Sequence, residues 1–152
     1  MVKTTRCYDV KIQEVGISRM FFVKLEPGDD ILETLTKSVK EYSIQTGFFT
    51  AIGALQTANF AYYLLEEKQY KTIRLNGAFE ILSCIGNVTQ KDGAPLIHAH
   101  IVIGDDTGQT YGGHLLSGNH ISVTGEVFLV ETKIPLTREL DMQFDLSLIA
   151  MK

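Results

Sequence analysis

Only one stretch of this chain repeats its apolar residues with the period of an α-helix. That limits the fold to a β-structure with a single principal helix laid on it. Ile31, Leu35, Val39 and Tyr42 recur at spacings of four, four and three, which places them on one helical face. Thr34, Lys37, Ser38, Lys40 and Glu41 take the rest of the surface. Pro27-Gly28-Asp29-Asp30 ends the preceding segment and offers an aspartate N-cap, with Glu33 acidic in the first turn. Gly47 suits the C′ position. The spacing predicts a helix over about 30–46. Elsewhere the pattern is that of strands: Tyr8–Ile12, Arg19–Glu26, Phe49–Leu55, Ala58–Leu65, Tyr70–Leu75, Phe79–Thr89, Ile121–Glu131 and Leu140–Ile149. In the last, Leu140, Met142, Phe144, Leu146 and Leu148 share one face. With no repeat, linker or charged tail, the expectation is one α+β domain over residues 1–152, built on a mostly antiparallel sheet.

Between two of these strands lies a denser window. All four histidines, His98, His100, His114 and His120, fall between positions 98 and 120. Ile97–Ile103 reads as a strand, so His98 and His100, two apart, project the same way. Asp105-Asp106-Thr107-Gly108 supplies a turn, and Thr110–Leu116 returns. Pairing 98 with 114 leaves a five-residue loop at 104–108. Pairing 100 with 114 leaves a three-residue loop at 106–108 that ends in glycine, a common bulged hairpin. In both registers His114 joins the face of His98 and His100, whereas a one-residue slip would remove it. Three neutral imidazoles favour Zn²⁺ or a similar ion, with a fourth position open to water or a small molecule. Ligating imidazoles must be neutral, so metal loss is expected as pH falls through about 6.5. Gly112 and Gly113 leave room beside His114 for a close approach. His120, after a Ser-Gly-Asn turn, reads as a surface residue, and Asp105 and Asp106 as turn residues.

Charge narrows the partners. A net charge of −4 and a pI near 5.5 argue against a strong sequence-independent grip on nucleic acid. Cys7 and Cys84 match no metal or redox spacing and read as reduced core or near-core residues. The first residues lead into no apolar run and no segment approaches the ~18 apolar residues of a membrane span. A cytoplasmic protein without a membrane partner is expected.

Taken in order, several segments resemble the plants-and-prokaryotes conserved (PPC) domain family in its single-domain prokaryotic form. They are Phe22-Val23-Lys24-Leu25-Glu26-Pro27-Gly28-Asp29, Phe49-Thr50-Ala51-Ile52-Gly53-Ala54-Leu55, Phe79-Glu80-Ile81-Leu82-Ser83, Gly86-Asn87-Val88, Asp92-Gly93-Ala94-Pro95, His98-Ala99-His100, Gly112-Gly113-His114-Leu115 and Thr124-Gly125-Glu126-Val127. The resemblance implies a homotrimer built on a largely antiparallel sheet. For members with His-x-His and Gly-Gly-His it implies a bound metal, usually zinc, here at His98, His100 and His114. Plant members carry a basic Arg-Gly-Arg-Pro arm that grips DNA, and this chain has no such arm. DNA as a partner rests on family labelling, which is a fold-level association.

Two carboxylates interrupt apolar strands. Glu126 and Glu80 are candidates to orient an imidazole or to act as acid or base beside a metal-bound water. Tyr62, Tyr63 and Tyr111 are candidates for pocket or interface packing. Three readings follow: a trimeric metal-binding protein with a small molecule or water on the metal; a metal-dependent hydrolase or lyase with Glu126 as general base; and a DNA-associated regulator. The residues leave open whether the protein is an enzyme.

Overall fold

Two very long strands form the frame. The computed structural model describes residues 10–151. The elements run β1 (Ile17–Leu25), α1 (Ile31–Glu41), β2 (Gly47–Leu64), β3 (Gln69–Lys91), β4 (Ala94–Gly104), β5 (Thr110–Leu115), β6 (Ile121–Thr132), β7 (Thr137–Asp141) and β8 (Leu146–Ala150). β2 pairs antiparallel with β3 from Gly47↔Val88 to Leu64↔Gln69. β3 then pairs with β4, β4 with β5, and β5 returns to β2 at Phe60↔Leu115 and Ala61↔His114. These four pairings make a ring of strands. β6 adds to the first half of β2, β1 adds to β6, and the β7–β8 hairpin joins through a parallel bridge at Gln90↔Thr137. The fold is a mostly antiparallel sheet with one short helix. Among the described residues no helix is long and apolar enough to cross a membrane.

The core follows from alternation along these strands. Phe49, Leu55, Phe60, Ile101, Ile103 and Leu115 are buried, each contributing about 1.5–3 kcal/mol by leaving water. Ile31, Leu35 and Val39 bring the helix onto the same core. Cys84 is also buried, and burial pushes its thiol up to about 12. The opposite face is less covered. Phe22, Ile52, Ile85, Val123 and Phe128 are all more than half exposed, and the rings of Phe22 and Phe128 pack 5.1 Å apart across β1 and β6.

Several expectations need correction. The helix stops at Glu41, not 46, because Ser43 adopts a left-handed conformation (φ 54°) and Ile44 turns back into the core, its N–H donating to Val39 O. Gly47 therefore opens β2 instead of capping the helix, and Tyr42 is exposed at the C-cap. Residues 10–12 of the first expected strand are not in a strand, since the outer edge of β6 is taken by β1; Tyr8 and Asp9, like Cys7, lie outside the described residues. The four expected strands between 49 and 89 are two. Glycine and polar residues at 53, 56–57 and 76–77 mark bulges that bend the ladder without ending it. The expected strand Leu140–Ile149 is a hairpin, because the Asp141 carboxylate accepts from the N–H groups of Gln143 and Phe144 and folds the chain back.

Candidate metal centre

The β4–β5 hairpin takes the second of the two registers read from the sequence. His100 lies opposite His114, and the ladder runs to Gly104↔Thr110. Asp105 N–H donates to Gln109 O, leaving a tight loop in which Gly108 has φ +82°. Asp105 is a turn residue: its Oδ1 accepts from Thr107 and Gln109, which hold its carboxyl below the usual range. Gly113 is needed where β5 lies between two neighbours. A Cβ there would sit 2.6 Å from Ala61 O and 3.1 Å from Phe60. Gly113 thus lets β5 close against β2 and Gly112 lets it close against Ile101 on β4, and His114 follows immediately on the outward face.

That face collects the three rings. Centroids are 5.2 Å apart for His98 and His100, 5.1 Å for His98 and His114, and 5.9 Å for His100 and His114. One ring nitrogen from each lies within 4.8 Å of the others. An ion about 2.0–2.1 Å from each nitrogen in tetrahedral geometry needs them roughly 3.3 Å apart, a gap that small side-chain rotations close. His98 and His114 are half-buried and His100 is exposed, so the cluster has an outward side.

Charge state fits the same use. Burial first, then Arg138 and the other two rings, lowers His98 to about 4. Burial also lowers His114, with His100 and Arg138 adding to it. Both rings are therefore neutral at pH 7, and proton competition at His98 sets in below the ~6.5 of a free imidazole. His114 Nδ1 is buried with no hydrogen-bond partner, a cost that a bound cation or its ligands would relieve. These residues fit a borderline divalent ion such as zinc.

Two neighbours were not anticipated from the sequence. Tyr70 on β3 stacks on His114 with centroids 4.8 Å apart. Arg138 on β7 brings a guanidinium nitrogen to 3.4 Å from His98 Nδ1. A cavity of about 260 Å³ opens between these side chains and the β8 strand. Arg138 falls between the strands expected at Ile121–Glu131 and Leu140–Ile149, forty residues from His98, so no local pattern pointed to it.

Other candidates stand elsewhere. Glu126 is exposed on β6 between Lys24 and Ile52, in a groove it shares with Glu80 and Val123, and is not part of the histidine cluster. His120 is held by Thr57, whose hydroxyl lies 3.0 Å from its Nδ1. The Tyr63 hydroxyl donates to Phe144 O, Tyr111 donates to Asp105 and Gln109, and Tyr62 is exposed.

The profile of the Plants and Prokaryotes Conserved (PCC) domain matches residues 12–133. The chain belongs to this family. Among solved structures, this PCC-domain chain superposes on a metal-containing protein from Archaeoglobus fulgidus with a TM-score of 0.86 and 34% identity, covering 93% of this chain and 100% of the other. A plant- and prokaryote-conserved protein of Pyrococcus horikoshii gives 0.86 and 32%, covering 94% and 99%. Among curated proteins, the bifunctional protein GlmU of Synechococcus sp. (strain JA-3-3Ab) is 31% identical over 118 residues, 77% of this chain. The PCC-domain chain spans only 18% of that relative's length, and 20% of the GlmU from a second Synechococcus strain.

Proposed function

We propose that this PCC-domain protein is a homotrimeric metal-binding protein in which His98, His100 and His114 hold Zn²⁺, with the remaining position facing a small-molecule cavity. The observation that carries this is the convergence of three imidazoles, each with a ring nitrogen within 4.8 Å of the others, on one face of the β4–β5 hairpin. The metal-containing relative from Archaeoglobus fulgidus supports the same reading. Such an ion supplies Lewis acidity or an acidified water when bound. Self-association is supported by the apolar outer face of Phe22, Ile52, Ile85, Val123 and Phe128, which a lone chain leaves in water.

The test is elemental analysis of protein purified without an affinity tag, with its mass in solution measured on the same sample. Close to one zinc per chain is expected, falling to background in the His98→Ala/His114→Ala variant. Metal content near zero in both proteins refutes the metal assignment. A monomeric mass at roughly micromolar concentration refutes the trimer.

A further inference from the structure

We infer that the cavity beside the three histidines binds a small aliphatic carboxylate, with Arg138 as the side chain that recognises its charge. This deepens the metal reading above and rests on it for the ligand's second anchor. Arg138 is only 8% exposed, yet every group its guanidinium bonds is neutral. Nε donates to Thr89 Oγ1, one terminal nitrogen to Ser147 O and the other to Asn87 Oδ1. Among the described residues no carboxylate reaches it; the ion pairs are Arg19–Glu131 and Lys24–Glu26. A cation taken out of water without a counter-charge is costly, and the cost is met when a ligand brings the anion.

Three bonds use three of the guanidinium's five N–H donors. The 3.4 Å approach to His98 Nδ1 engages a fourth, so one donor is free and a second follows when His98 stops accepting, which together match the two oxygens of a carboxylate. The cavity's other walls are Tyr70, Ser147 and the aliphatic Leu96, Ile97, Leu146 and Leu148, with Arg138 its one fixed cation, which suits a singly charged ligand with an aliphatic body. His98 and His114 line it too, so a second oxygen beside the carboxylate would face an ion held by those rings. The 3.4 Å approach of Arg138 to His98 Nδ1 links the two anchors. If His98 gives its other ring nitrogen to a cation, Nδ1 carries the proton and stops accepting, and the guanidinium donor turns to the ligand. Metal should therefore strengthen carboxylate binding. Arg138, Leu146 and Leu148 lie in the β7–β8 hairpin, beyond residues 12–133 that the family profile matches.

The experiment loads untagged protein with Co²⁺, measures cobalt content, and titrates 2-oxobutyrate by visible absorption and calorimetry. Its methyl ester is the uncharged control, and Arg138→Lys and Arg138→Met are run in parallel with thermal melts. Expected are a perturbed cobalt spectrum with the acid, binding of the ester at least about ten-fold weaker, and a similar or larger loss in Arg138→Met with cobalt content unchanged. Arg138→Lys should retain part of the affinity. Equal binding of acid and ester, no binding of the acid at roughly millimolar concentration, or full affinity in a folded Arg138→Met variant overturns the inference. Should that variant fail to fold, the acid–ester comparison on the unmodified protein decides. Failure to take up cobalt sinks the metal reading separately. Calorimetry on the metal-free protein then decides the role of Arg138: preference for the acid upholds it, and no preference overturns it.

Discussion

Asp30 is the residue whose loss should cost the fold most for the fewest atoms removed. The residue is 8% exposed and its carboxylate accepts three backbone N–H groups. Oδ1 takes Glu33 N–H at 2.9 Å as the N-cap of α1, and Oδ2 takes the N–H groups of Gly118 and Asn119 at 2.5 and 2.9 Å. One side chain thus pins the start of the helix to the turn between β5 and β6, four residues after His114. Replacing it by alanine removes an N-cap, at about 1 kcal/mol. It also strands two N–H groups, one of them fully buried, at about 1 kcal/mol each or more. The sum is about 3 kcal/mol, against a total stability of about 5–15 kcal/mol for a domain of ordinary size. With a urea m-value of about 2 kcal/mol/M, the midpoint should fall by about 1.5 M. Asp30→Asn keeps an acceptor and should lose about half as much. Urea titrations followed by far-UV circular dichroism measure both. A midpoint shift under about 0.5 M for Asp30→Ala, or equal shifts for Ala and Asn, would refute the assignment of three bonds to one carboxylate.

Two further outcomes follow from the same structure. A Cβ on Gly86 would stand 2.6 Å from Ala99 Cβ and from Phe49, and 2.7 Å from His98 O. Gly86→Ala should destabilise by about 1–3 kcal/mol through overpacking and weaken metal uptake by shifting β4; a midpoint and zinc content equal to the parent's would contradict this. In metal-free protein His98 titrates near 4 when folded and near 6.5 when unfolded. The folded value is the lower one, so its contribution is complete above about 6.5 and is lost as pH falls from there toward about 4. The stability difference between the parent and His98→Gln should therefore shrink over that window, and a difference that stays flat from pH 7.5 to 4 would count against the shift.

What the sequence showed and what it hid divide along a physical line. Local chemistry was legible: Asp30 caps the helix, Asp105 and Gly108 make the turn, and the two-residue period puts His114 on the face of His98 and His100, the structure then choosing the register that pairs it with His100. Continuity and long-range placement were not. Polar residues at 56–57 and 76–77 carry turn chemistry, but neighbours on both sides hold the backbone in the ladder, so they bend β2 and β3 instead of breaking them. The apolar alternation from Leu140 to Leu148 runs on through a turn, and pairing Leu140 with Ser147 puts Leu140 and Leu148 on opposite faces. Arg138 reaches the histidines only because that turn folds its strand against β3. Glu126 stood out as an acid in an apolar run, and its neighbours on the sheet are Lys24 and Ile52, not imidazoles.

The pairing of β1 with β6 joins Ile17 to Thr132 and Leu25 to Gly125. A ribosome therefore releases the segment Ile17–Leu25 long before β6, its one strand neighbour among the described residues, exists. Until β6 emerges that segment, with Met20, Phe21 and Phe22, is an unsatisfied sticky edge, the kind of surface that holding chaperones cover. Docking of β1 waits for Gly125–Thr132 to emerge, about a hundred residues later, so yield of native protein should depend on how well the nascent chain is shielded in that interval.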